Sequence, residues 1–166
     1  MIDAILLVVG AYFWGAIPSA YIVARSLGHI DIRQYGSGNP GAANVVAHVG
    51  TLTGLSLGTF DCLGKGTLPV VAANLLGQDL TVQAAAGLAG IAGHNWSPYM
   101  RFTGGRGVAT AVGVVLGFQM WPESVIIGLM MGAFGYLIFR ESGLWTFIAI
   151  LALPLLAYLF DRESVA

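Results

Sequence analysis

The sequence predicts an all-α fold: a polytopic bundle of about six membrane-crossing helices, forming a single domain over residues 1–166. Three observations predict it. Hydrophobic residues make up 57% of the chain and charged residues only 9%, against roughly 45–50% and 25% in soluble domains. The apolar residues come in long runs separated by short polar stretches, the pattern of repeated membrane crossing. Glycine is in excess, 24 of 166 residues, and part of it recurs every four positions. Gly50, Gly54 and Gly58 share a helix face, as do Gly113 with Gly117 and Gly128 with Gly132, and small residues at that spacing let membrane helices approach closely.

Composition also excludes. A net charge of −1 gives no basic field for nucleic acid. Cys62 is the single cysteine, so no intramolecular disulfide forms, and a structural zinc site is not expected. No cofactor is called for. The opening Met1-Ile2-Asp3 has no basic n-region and the first apolar run ends at Arg25, so it reads as a span rather than a cleaved leader.

Residues 2–24 form the first span, long enough at about 1.5 Å per residue to cross a core of roughly 30 Å. Pro18 is expected to kink it, and Tyr12 and Trp14 lie deep enough to face other helices. Residues 25–44 form a polar loop bearing Arg25, His29, Asp31, Arg33, Ser37, Asn39 and Asn44, with Gly36, Gly38 and Gly41 around Asn39-Pro40 forcing tight turns. So many hydrogen-bonding side chains suit a binding loop, although a solvated connector needs only polarity.

Residues 45–77 read as one apolar segment, too long for a straight span. Asp61 and Lys65 lie within it, four apart and on one face. Charge inside a membrane segment is either paired structurally or functional. Pro69 cannot donate to the Lys65 carbonyl, and Gly64 and Gly66 flank that lysine. A helix break or bend at 64–66 is therefore expected, with Lys65 directed into a polar cavity, since irregular membrane backbone persists only where buried or wet.

Gln78-Asp79 makes a turn, and residues 80–92 return across the membrane. Residues 93–107 form a second polar loop, which runs into a span over 108–120 that begins as early as Gly105. Its Gly104-Gly105-Arg106-Gly107 cluster is the kind of segment that aims N–H groups and a helix N-terminus at a phosphate. A Gly-rich turn whose arginine anchors the helix at the headgroups is the plainer reading. Trp121-Pro122-Glu123 turns the chain into a fifth span, 124–139. Arg140-Glu141-Ser142 turns it into the sixth, 144–160, before Asp161-Arg162-Glu163. Arg25, Arg33, Arg101, Arg106 and Arg140 fall in the loops after the first, third and fifth spans, whereas Asp3, Asp79 and Glu123 fall on the other side. The positive-inside bias then places the N-terminus outside and both polar loops on the cytoplasmic face.

Five blocks in order over roughly residues 15–112 carry a resemblance: G-A-I-P-S-A-Y, D-I-R-Q-Y-G-S-G-N-P-G-A-A-N, F-D-C-L-G-K-G-T-L-P-V, A-G-H-N-W-S-P and F-T-G-G-R-G-V-A-T. Together they resemble the bacterial acyl-phosphate:glycerol-3-phosphate acyltransferases, integral enzymes of the cytoplasmic (inner) membrane. The resemblance implies transfer of a fatty acyl group from acyl phosphate to the sn-1 hydroxyl of glycerol 3-phosphate, giving lysophosphatidic acid and phosphate without a metal. It implies catalytic roles for Arg33, Ser37, Lys65 and His94. It implies substrate binding by Asn39, Asn44, Gly104, Gly105, Arg106 and Gly107. Arg106 stands where the family usually has lysine, Ala16 where serine is usual and Ala43 where threonine is usual. Family members usually carry a seventh span and a cytoplasmic tail with a His, an Asn and a Glu, which the sequence to Ala166 does not show. Two non-enzymatic readings accompany the enzyme: a shortened homologue that only binds, and a small transporter of a phosphorylated solute. No nucleophile is evident, so direct attack by the substrate hydroxyl is expected, with His94 or a substrate phosphate as base.

Overall fold

The structure, a computed structural model, describes residues 2–132 and 142–160. It is all-α, in line with the sequence. The turn expected at Arg140-Glu141 and the charged residues 161–163 lie outside the described residues.

Helix α1 (Ile2–Gly15) stops three residues before Pro18, and α2 (Ser19–Leu27) starts just after it. The expected kink is thus an interruption, although Ile2–Leu27 together is long and apolar enough to cross a membrane. Tyr12 and Trp14 do turn to other elements: the Tyr12 hydroxyl donates to the Trp96 carbonyl at 2.8 Å and Trp14 Nε1 to the Gly64 carbonyl at 2.7 Å. A short 3₁₀ turn, Ile32–Gln34, follows in the first polar loop.

The apolar segment 45–77 departs from expectation twice. First, it contains a reversal. Helix α3 (Ala42–His48) folds back on α4 (Thr51–Thr59) through Val49-Gly50, with Gly50 at φ +154°. Gly54 makes the pair fit, because a Cβ there would overlap Val46. Apolar content hides this turn, since both arms are apolar. Second, the helix does not break at 64–66. It continues from α4 through a π-helical segment, Phe60–Thr67, into α5 (Leu68–Leu75). The widened turns move the hydrogen bonds to five-residue spacing: the Leu68 N–H donates to the Leu63 carbonyl. Pro69 removes a four-residue donor, and the π winding accommodates that loss without unravelling the backbone.

Helix α6 (Leu80–Asn95) is capped by the Asp79 side chain, which accepts from the Val82 N–H at 2.9 Å. A loop closed by a Ser97–Thr103 bridge leads to α7 (Val108–Gly117), then α8 (Trp121–Leu129) and α9 (Ser142–Leu159). Gly107, at φ +69°, ends the loop, so α7 starts at Val108 rather than at Gly105.

Two close crossings organise the molecule. Helix α1 lies on α6 and α7 lies on the π segment. In the first, Gly15 and Gly93 face backbone of the opposite helix with no room for a side chain; in the second, Gly66 and Gly113 do the same, and the Thr67 hydroxyl donates to the Gly113 carbonyl at 2.8 Å. Many large apolar side chains point outward, among them Leu6, Leu52, Leu75 and Leu88. Asp61, Lys65 and Ser97 are buried together inside, where the α1–α2 interruption meets the π segment.

Candidate active site

The interruption at Ala16–Pro18 leaves main-chain carbonyls without helical partners, and side chains from elsewhere take them. Lys65 Nζ donates to the Ile17 carbonyl at 2.8 Å, and Ser97 Oγ donates to the Ala16 carbonyl at 2.6 Å. The lysine is buried at 2% side-chain exposure and also reaches Ser19 Oγ at 2.7 Å and Asp61 Oδ1 at 2.9 Å. Ser19 Oγ closes the triangle by donating to Asp61 Oδ1 at 3.1 Å. The ammonium thus has three oxygen partners. A buried charge persists only with such pairing and hydrogen bonding.

His94, on the last turn of α6, faces this cluster. Its Nδ1 lies 3.8 Å from Asp61 Oδ1 and makes no hydrogen bond, and its side chain is 8% exposed. The other edge of the ring abuts Gly105, where a Cβ would overlap Nε2. A narrow, partly open cavity lies between Ile17, Ser19, Pro40, Lys65, His94, Ser97 and Gly104-Gly105. Its enclosed part measures ≈ 10 Å³, the room of about one water molecule. A larger groove of ≈ 550 Å³ with apolar walls lies between α3, α4, the π segment and α7, lined by Val46, Leu55, Leu63 and Ala109 among others.

The structure therefore brings four of the residues singled out in the sequence to one cavity: Lys65, His94, Gly104 and Gly105. It distributes the others around it. Gly107 is buried and packs on the Asn95 carboxamide. Arg106 is exposed on the same loop. The glycine N–H groups are not all free for a phosphate, because the Gly105 N–H donates to the His94 carbonyl at 3.1 Å. In the first polar loop Arg33 is held by Asp31, through Nε–Oδ1 at 2.8 Å and a 2.6 Å ion pair, and stacks over the Tyr21 ring at 4.8 Å. The guanidinium beside Asp31 holds that carboxyl at about 2, well below its ordinary value. Ser37 Oγ accepts from the Asn39 N–H at 3.3 Å, which shapes the turn. Asn44, expected to touch substrate, donates its Nδ2 to the carbonyls of Ile32, Tyr35 and Asn39 and pins the loop. Ser19 and Ser97 join the cluster without having been singled out individually. Ser19 meets side chains of the π segment and Ser97 a carbonyl just past the far end of α1, and composition carries no mark of either contact.

Residues 5–166 match the sequence profile of a family described as glycerol-3-phosphate acyltransferase. This chain belongs to that family. Among its glycerol-3-phosphate acyltransferase relatives, number 5 of Dehalococcoides mccartyi is 41% identical, over 94% of this chain and 65% of the relative. A second relative from that organism, number 4, is 41% identical over 94% of this chain and 66% of its own length, so the chain spans just under two thirds of either. The acyltransferase of Endomicrobium trichonymphae is 37% identical over 99% of this chain and 81% of the relative. In structure, the chain is similar to PlsY (YgiH), an integral membrane glycerol 3-phosphate acyltransferase crystallised in its glycerol 3-phosphate form. The TM-score is 0.82 at 32% identity, covering 96% of this chain and 78% of PlsY. The lysophosphatidic acid form of that protein gives a TM-score of 0.80.

Proposed function

We propose that this chain is a membrane-integral acyltransferase that moves a fatty acyl group from acyl phosphate to the sn-1 hydroxyl of glycerol 3-phosphate. In this reading the whole chain is one domain of about six crossings in the cytoplasmic membrane, with its N-terminus outside and the cavity opening to the cytoplasm. The observation that carries it is the buried Ser19–Asp61–Lys65 triangle facing His94 beside a Gly-Gly-Arg-Gly loop, in a chain of this family.

The chemistry follows from the groups. Acyl phosphate is already activated, so the enzyme's work is positioning and charge stabilisation. The substrate hydroxyl oxygen bonds to the acyl carbon, the bond from that carbon to the phosphate oxygen breaks, and phosphate leaves with the electron pair. The hydroxyl proton passes to His94 or to a substrate phosphate. Arg106, next in sequence to Gly105 of the cavity wall, and Arg33 on the first polar loop supply charge for the two phosphates, Arg33 by exchanging Asp31 for substrate. Ser37 and Asn39 border the same loop and complete the polar side. The apolar groove beside the π segment suits an acyl tail, being in the size range of roughly 300–1,000 Å³ typical of ligand sites. The test is phosphate release by the purified protein in detergent from palmitoyl phosphate plus glycerol 3-phosphate. Release that depends on both substrates is expected. Folded protein that binds glycerol 3-phosphate but releases no phosphate would overturn catalysis and leave a binding protein.

A further inference from the structure

His94 Nδ1 and Asp61 Oδ1 are 3.8 Å apart in a closed part of the molecule. No hydrogen-bond partner meets that nitrogen, while the opposite edge of the ring lies against Gly105. Asp61 is itself held by Ser19 and Lys65, so its carboxylate cannot swing away without breaking two bonds. Which nitrogen of a histidine carries the proton is decided by the partner offered to the other one. Here one side offers an anionic oxygen.

We propose that Asp61 is a positioning residue for His94: its carboxylate keeps the imidazole proton on Nδ1 and leaves the Nε2 lone pair on the Gly104–Gly105 side of the cavity. Burial of the ring outweighs the pull of the Asp61 carboxylate and, with the nearby Lys65 ammonium, disfavours a positive charge there, which keeps the imidazole neutral and able to accept a proton. The Asp61–Lys65 pair, four residues apart in the π segment, then does more than neutralise itself. It presents one carboxylate oxygen to a histidine from another helix. The catalytic meaning of this arrangement rests on the acyl-transfer reading; the tautomer does not.

Two measurements separate the questions. In ¹⁵N-histidine-labelled protein held about 1.5 pH units above the ordinary histidine value of about 6.5, the His94 ring is assigned by loss of its signals in His94→Gln. The expected spectrum is that of a neutral ring with the proton on Nδ1, and a proton on Nε2 in the unaltered protein overturns the proposal without any variant. Asp61→Leu/Lys65→Met, which removes both charges together, should move the proton to Nε2, the tautomer imidazole prefers in water; an unchanged tautomer there also overturns it. In the kinetic arm, Asp61→Asn should lower kcat by on the order of 100-fold, the low end of what a general base supplies, with little change in KM for glycerol 3-phosphate, and Asp61→Glu should recover part of kcat. Loss confined to KM would count against positioning. Absence of turnover in the unaltered protein would sink the acyl-transfer reading and leave the tautomer result standing.

Discussion

Gly105 leaves room for the His94 imidazole: a methyl group at position 105 would occupy the place of Nε2. The sequence suggested a different reason for this glycine, the close approach of a phosphate to the backbone. The structure gives its missing side chain to a histidine. Gly105→Ala should therefore displace the ring and lower kcat, whereas crowding of a phosphate would act on KM. Gly10→Ala, where nothing lies within 4 Å, is the matched control. It should keep full activity and gain up to about 1 kcal/mol from helix propensity. Steady-state kinetics and thermal unfolding of the two variants provide the comparison.

Replacing Lys65 alone by an apolar residue should cost far more than replacing Lys65 and Asp61 together. Lys65→Met leaves a buried carboxylate without its ammonium, and breaking a buried pair from one side costs about 3–5 kcal/mol. Asp61→Leu/Lys65→Met should fold far closer to the unaltered protein, because a buried pair is often replaceable by apolar residues. That double variant should be inactive in the phosphate-release assay. An active one would make the pair structural only.

How much of this was legible beforehand differs from one feature to the next. The Asp61–Lys65 pair could be read from four-residue spacing, because a helix places such residues on one face, and π winding keeps them within reach of each other. The winding itself could not be read: moving hydrogen bonds from four-residue to five-residue spacing changes no side chain. The reversal at Val49-Gly50 was hidden because Val45, Val46 and Leu52 look alike on either side of it. The approach of His94 to Asp61 depends on how α6 seats against the π segment, with Gly90 facing the Lys65 carbonyl. That is a tertiary fact with no local signature.

The Arg33–Asp31 pair gives a pH prediction with a definite sign. Asp31 is held at about 2, against an ordinary 3.8, chiefly by its hydrogen bond to Arg33. A depressed carboxyl stabilises the fold fully above its ordinary value, and that contribution disappears as pH falls through about 2. The loop should thus be unchanged from neutral pH down to about 4 and loosen only below. A ¹³C titration of the Asp31 carboxyl should give a midpoint near 2, and Arg33→Ala should return it to about 3.8. A midpoint that ignores Arg33 would dissolve the pair.

Arg106 should act on substrate affinity. A charge-assisted hydrogen bond is worth roughly 1.5–3 kcal/mol, about 10- to 150-fold in an equilibrium constant. Arg106→Ala should raise KM for glycerol 3-phosphate or acyl phosphate by that order. Arg106→Lys should recover much of it, since a point charge still serves a phosphate without the planar fork. If the arginine only anchored the loop at the headgroups, the alanine variant would express poorly yet show unaltered KM for both substrates.

The carbonyls released at Ala16 and Ile17 belong to no side chain, so an alanine scan would pass straight over them. Ala16 is already alanine, and Ile17→Ala would leave its main-chain oxygen in place. Two of the anchors on which Lys65 and Ser97 depend are thus hidden from conventional mutagenesis. They become visible only when the atoms of the chain itself are altered, through an amide-to-ester exchange that weakens one carbonyl as an acceptor, or when Pro18 is replaced by a residue that lets the helix close and withdraw them.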